Sequence, residues 1–217
     1  MIEVYFDFVS PYAYFSLNRL DALAARHGLQ VSYRPILLWA VRRALKMSPP
    51  MDDEPKGTYL LDDMARSARF FGLPYRMPDA FPISTHLAAR AYYGLAAIDP
   101  LRLRPFMHSV FDAYFTQNQD ISDEDVLRKI GGHYGLDPET LTELMTGDGP
   151  REALVLANDD AVARGVWGSP FVFIDDEAFF GADRLPQIEW HLASRGQGAE
   201  QPGAHNHPRR AGADNGI

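Results

Sequence analysis

The segment Tyr5-Phe6-Asp7-Phe8-Val9-Ser10-Pro11-Tyr12-Ala13 contains the side chain best placed for chemistry, Ser10. An apolar run ends there and a helical pattern begins. Ser10 therefore falls at the helix N-cap and Pro11 at N1, where its fixed φ and missing N–H do no harm. The first-turn amides and the positive end of the helix dipole face whatever lies beside the Ser10 hydroxyl. Such a place suits an anion, including a thiolate. The chain has no cysteine, so a thiolate held there arrives on a ligand. The same absence excludes disulfides, thiolate metal sites and dithiol redox cycling by this chain.

The elements that must position Ser10 follow from periodicity. Residues Ile2 to Phe8 read as a buried strand, and Pro11 to His27 as a helix stopped by Gly28. Leu29 to Pro35 reads as a second strand, parallel to the first across a right-handed crossover. Leu37 to Leu45 reads as a short helix, and Ser48 to Pro55 as a loop long enough to be functional. From Lys56 to about Arg164 the pattern is helical, with helices expected over 57–71, 83–97, 100–117, 122–134, 138–146 and 150–164. The stripes Leu87/Tyr92/Leu95 and Phe106/Val110/Phe111/Phe115 are expected in the core. Strand character returns at Pro170 to Ile174, followed by a hairpin turn, a returning strand over 178–180 and a last helix over 184–194.

The order βαβ, helices, ββα predicts an α/β chain with a thioredoxin-like fold, in which a large helical domain is inserted between the two halves of one small sheet. The expected division is 1–55 with 165–195 as the thioredoxin-like domain, 56–164 as an all-helical insertion, and 196–217 as a disordered tail. His205 and His207 lie in that tail, where no rigid frame orders them for a metal, and no metal site is expected.

Composition narrows the function. The chain has 217 residues, 46% hydrophobic content and a formal net charge of −8, which argues against a nucleic-acid surface. No apolar run approaches the roughly 20 residues that span a bilayer. Met1-Ile2-Glu3-Val4 opens no signal-peptide pattern, and a cytoplasmic location is the expectation. The basic residues Arg34, Arg42, Arg43 and Lys46 either line a pocket for an acidic metabolite or form a solvated face.

Four local signatures carry a family resemblance: Asp7-Phe8-Val9-Ser10-Pro11-Tyr12-Ala13-Tyr14; Lys56-Gly57-x-Tyr59 with its continuation to Pro74; Gly165-Val166-Trp167-Gly168-Ser169-Pro170-Phe171; and Phe180-Gly181-Ala182-Asp183-Arg184-Leu185. In this order and on these elements, the chain resembles the DsbA-like branch of the thioredoxin superfamily over about residues 2–194. Within that branch it is similar to 2-hydroxychromene-2-carboxylate isomerases and kappa-class glutathione transferases. Ser10-Pro11-Tyr12-Ala13 stands where the oxidoreductases carry C-x-x-C.

The resemblance implies a glutathione-dependent cis-trans isomerase acting on an aromatic-catabolism carboxylic acid, with glutathione as cofactor and a homodimer as the assembly. The implied catalytic residue is Ser10, tuning the ligand sulfur. The implied glutathione-binding set is Ser10, Lys56, Ser169, Pro170, Ala182 and Asp183. Ser169 would offer backbone N–H and C=O to the tripeptide next to a cis Ser169-Pro170 bond. Ala182 and Asp183, at the start of the last helix, would receive the zwitterionic γ-glutamyl end. Lys56 would reach the glycyl carboxylate or, with nearby arginines, an acidic substrate.

Each position also has a plain structural role. Ser10 can be only a cap, Pro170 a trans strand-start proline, Asp183 a helix cap and Lys56 a surface lysine. Tyr12, Tyr14 and Trp39 either stack on an aromatic substrate or pack in the core. His86 either alters the substrate pocket or sits at the surface. The loop Met47 to Asp53 lacks the Asn that relatives tend to place there. A kappa-like transferase and a non-catalytic thioredoxin-fold binding protein remain as alternatives.

Overall fold

The computed structural model describes residues 1–195; the expected tail at 196–217 lies outside the described residues. Four strands form one sheet in the order β2-β1-β3-β4. They are β1 (Ile2–Phe6), β2 (Val31–Pro35), β3 (Phe171–Ile174) and β4 (Glu177–Phe180). β1 pairs parallel with β2, setting Tyr5 opposite Arg34, and antiparallel with β3, setting Tyr5 opposite Phe171. β3 and β4 make the hairpin, with Phe171 opposite Phe180.

The helices are α1 (Pro11–Arg26), α2 (Leu38–Ala44), α3 (Lys56–Phe71), α4 (His86–Ile98), α5 (Leu103–Phe115), α6 (Glu124–Gly132), α7 (Pro138–Thr146), α8 (Asp148–Ala163) and α9 (Leu185–Ser194). Short 3-10 turns at Pro100–Arg102 and Ala182–Arg184 precede α5 and α9. Seven helices, α2 to α8, thus lie between β2 and β3 in the sequence. None of the described helices is long and apolar enough to cross a membrane.

β1 is central and buried on both faces, as its near-continuous apolar sequence requires. Ile2, Val4 and Phe6 point into the larger core, with Leu17 and Leu20 of α1 and Ile188 and Leu192 of α9. Tyr5 points the other way, into a second cluster with Ile36, Val41 of α2, Ala161 of α8, Phe171 and Phe173. This is the strand alternation of period two expressed as two separate cores.

An aromatic seam joins the inserted helices to the β1–α1 turn. Tyr14 stacks on Phe111 and Phe115 of α5 with ring centroids 6.0 and 5.6 Å apart, and Phe8 lies 5.0 Å from Phe111. Aromatic pairs of this kind add about 0.5–1.5 kcal/mol beyond their buried area. Both predicted stripes are buried: Leu87, Tyr92 and Leu95 on α4, and Phe106, Val110, Phe111 and Phe115 on α5. The seam lies directly under the turn that carries Ser10, so that turn rests on a packed layer rather than on a mobile loop.

Two element bounds differ from the expectation for a local reason. α4 starts at His86, not at 83, because Thr85 occupies its N-cap and the chain before it is extended or turned. The predicted 100–117 helix divides into a 3-10 turn opened by Pro100 and an α-helix from Leu103.

Candidate active site

Ser10 is the N-cap of α1, in extended conformation, with Pro11 at N1. It is 6% exposed. Its Oγ accepts the Ala13 N–H at 3.3 Å, which fixes the first turn, and donates to the Ser169 carbonyl at 2.9 Å. The Ser10 N–H in turn donates to the Asp7 carbonyl at 2.9 Å. The Ser10 hydroxyl is therefore held on both sides and aimed at the loop before β3.

That loop is built to meet it. The Ser169–Pro170 peptide is cis, and Ser169 is buried. Its Oγ accepts the Asp7 N–H at 2.9 Å, so two bonds join Ser169 to the β1–α1 turn. The Ser169 carbonyl is thus turned to Ser10, while its N–H makes no hydrogen bond to a described residue. This differs from the expectation that both backbone groups of Ser169 face outward. Tyr12 N–H, two positions after Ser10, also has no partner among the described residues.

Gly168 permits this arrangement, because a Cβ there would run into the Phe180 ring. Phe180 also packs on Trp167, ring centroids 4.1 Å apart. The Gly181 N–H donates to the Pro170 carbonyl at 3.0 Å, and Gly181 has φ +102, a conformation that favours glycine. These bonds bring the fourth signature beside the third.

Asp183 lies in the 3-10 turn after Gly181, and its carboxylate folds back over Gly181. It is mostly exposed and pairs with Arg184 at 3.2 Å. It caps no helix through its side chain. Ala182 beside it is buried. Lys56 is the first residue of α3 and exposed, and its side chain makes no hydrogen bond or ion pair among the described residues.

The loop between α2 and α3 is tied to the same place by Arg42. Its guanidinium donates to the Trp167 carbonyl at 2.9 Å through Nη1 and to the Ser48 carbonyl at 2.9 Å through Nε, with Nη2 on the same oxygen. Burial lowers the Arg42 pKa. The predicted basic cluster therefore splits. Arg42 is committed to backbone carbonyls, and Arg34 pairs with Glu3 and Asp160 around Tyr5. Arg43 and Lys46 are exposed.

Sequence reasoning missed Asp7. It is 1% exposed, and its carboxylate accepts from Val9 N–H at 3.1 Å, Leu38 N–H at 2.7 Å and Thr85 Oγ1 at 2.5 Å. Burial pushes its pKa up, and the bonds from Thr85, Leu38 and Val9 pull against that. The signal was present in the sequence, as an acid inside an otherwise apolar strand end.

The aromatic candidates separate. Tyr14 is core, its hydroxyl donating to the Pro74 carbonyl at 3.0 Å. Tyr12 is half-buried and donates to Asp63 of α3 at 2.8 Å. Burial first and that carboxylate second push its pKa well up, so it stays a neutral donor. Trp39 on α2 is 56% exposed. His86 opens α4 with Nδ1 2.9 Å from Ser84 Oγ. Burial, then Arg90, lowers its pKa. His205 and His207 lie outside the described residues.

Residues 1–193 match the family model of the DSBA-like thioredoxin domain. The chain is 31% identical over 193 residues to 2-hydroxychromene-2-carboxylate isomerase from Sphingobium xenophagum, covering 88% of this chain and 97% of that protein. It is 28% identical to the protein of the same name from Pseudomonas putida, covering 87% and 92%. It is 25% identical to glutathione S-transferase kappa 2 of Caenorhabditis elegans, covering 89% and 92%. A solved 2-hydroxychromene-2-carboxylate isomerase superposes with TM-score 0.78 at 26% identity, covering 90% of this chain and 96% of that one. The chain belongs to the DsbA-like thioredoxin family and, within it, to the 2-hydroxychromene-2-carboxylate isomerases.

Proposed function

We propose that this enzyme is a glutathione-dependent cis-trans isomerase of the 2-hydroxychromene-2-carboxylate type, acting on an aromatic carboxylic acid. One observation carries the reading. In a cysteine-free chain, the Ser10 hydroxyl is buried, sits on a helix N-terminus and points at the cis-proline loop.

The residues present fit a thiol-bearing tripeptide. Tyr12 N–H and Ser169 N–H are donors without a partner among the described residues; the first lies in the turn that Ser10 caps, and the second belongs to the residue whose carbonyl takes the Ser10 proton. When bound, glutathione supplies a thiolate nucleophile that is regenerated at the end of each turnover. Ser10 donates its hydroxyl proton toward the sulfur, and the α1 dipole favours the charged form. An unassisted thiol titrates near about 8.5 and is mostly protonated at neutral pH, so this tuning matters. Ser169 with Pro170 holds the extended backbone, Ala182 and Asp183 the γ-glutamyl end, and Lys56 a carboxylate at the rim. Arg42 holds the α2–α3 loop in place and takes no ligand carboxylate. The protein works as a homodimer in the cytoplasm.

The test is the isomerisation rate with and without glutathione. A rate that depends on glutathione without consuming it is expected; equal rates in both overturn the mechanism. The similarity to kappa transferases favours a second reading, in which the sulfur adduct is released. Stoichiometric consumption of glutathione with an electrophilic aromatic substrate identifies that outcome.

A further inference from the structure

Asp7 is the buried acid that the proposed chemistry leaves unused. Its hydrogen bonds come from four stretches far apart in the sequence. The carboxylate accepts from Val9 in its own turn, from Leu38 at the start of α2, and from Thr85 at the N-cap of α4. Its backbone N–H donates to Ser169 Oγ. The bond to Val9 shapes an Asx-type turn, and the other three pull α2, α4 and the cis-proline loop against that turn. Ser10 follows directly, with its N–H on the Asp7 carbonyl and its Oγ on the Ser169 carbonyl. The path from Asp7 to Ser169 to Ser10 and back along the chain is a closed ring.

Thr85 shows what this arrangement takes from the helix it begins. It stands at the N-cap of α4, where a threonine hydroxyl ordinarily accepts from the first turn. Here it makes no cap bond and gives its proton to Asp7 instead. A residue that fits the cap is thus diverted to the acid.

We infer that Asp7 is a positioning residue for Ser10, taking Ser10 as the partner of the ligand sulfur: its carboxylate fixes the hydroxyl's direction by holding the first turns of α2 and α4 to the β1–α1 turn. A purely electrostatic role has the opposite signature. A negative charge near a thiolate raises the thiol's pKa, so removing the charge alone lowers it. Loss of the carboxylate's bonds to Leu38 and Thr85 frees the turn on which the ring is built, loosens the Ser10 donor and raises it.

The experiment titrates glutathione bound to the protein by thiolate absorbance, taken as the difference from the ligand-free protein; the chain contributes no thiol of its own. Asp7→Asn, Thr85→Val and Thr85→Ser are compared with the unaltered protein. The expected result is a bound-thiol pKa raised by Asp7→Asn, with about tenfold less thiolate at neutral pH, the same direction for Thr85→Val, and recovery with Thr85→Ser. A fall or no change in a folded Asp7→Asn, with Thr85→Val silent, overturns the inference and leaves the Ser10 reading intact.

If the unaltered protein does not bind glutathione by calorimetry, the Ser10 reading fails, and amide hydrogen exchange of the ligand-free proteins decides the positioning role. Faster exchange at Ser10 and Ala13 in Thr85→Val, restored by Thr85→Ser, supports it; unchanged exchange overturns it. The Thr85 pair decides by the same readouts if Asp7→Asn does not fold.

Discussion

The Ser10 hydroxyl gives its single proton to the Ser169 carbonyl, 2.9 Å away. A hydroxyl has one donor and two acceptor positions. To serve a ligand sulfur, it must turn that proton off the carbonyl, while its lone pair keeps the Ala13 N–H. The cis-proline loop therefore acts as the resting acceptor of the same proton that the proposed chemistry uses.

Ser10→Ala removes the donor and the cap together. Loss of the cap lowers stability by about 1 kcal/mol. Loss of a donor that acts in the transition state lowers the rate on the order of 10²–10³. Urea unfolding and isomerase kinetics separate the two. A rate within a factor of two of the unaltered enzyme refutes a catalytic Ser10.

Ser10→Cys places the chain's single thiol at the α1 N-terminus. Its pKa is expected below the free value of about 8.5, because the helix end stabilises the thiolate. The pH dependence of alkylation measures it directly. A thiol that titrates above the free value means that burial outweighs the helix end.

Gly168→Ala drives a methyl group into the Phe180 ring. Overpacking of this kind costs about 1–3 kcal/mol and moves the loop that carries Ser169. A shift of the urea midpoint is expected, and Phe180→Leu in the same background should return part of it. An unchanged midpoint means that the ring moves aside freely.

Stability should fall on acidification through the histidine range. Burial lowers the pKa of both His86 and His108 in the folded protein. As pH falls below the unfolded value of about 6.5, the unfolded chain binds protons that the folded chain refuses, so unfolding gains. Above that pH both forms are neutral there and the contribution is flat. Unfolding free energies across this window measure the slope, and His86→Gln with His108→Gln should flatten it.

Much of the site is legible in the sequence because it is local. A Ser-Pro after a strand specifies the α1 cap, and Gly28 marks where that helix stops. The aromatic stripes of α4 and α5 declare their buried faces by spacing alone. Asp7, Thr85 and Arg42 are different. Their bonds reach Leu38, Asp7 and Trp167 across separations of 31, 78 and 125 residues. No local pattern records such a pairing. The diversion of the Thr85 hydroxyl from its helix, and the bonding of the Arg42 guanidinium to backbone carbonyls, therefore become visible only in three dimensions.

The bond from Ser10 to Ser169 closes a loop of 159 residues. The βαβ start and the inserted helices can form from nearby sequence, but β3 must find β1 after the whole insertion has been made. Such distant pairings come at a high entropic cost and slow the search. The two halves of the site thus become neighbours only when the sheet is complete. In a refolding experiment, helical circular dichroism is expected to return before activity.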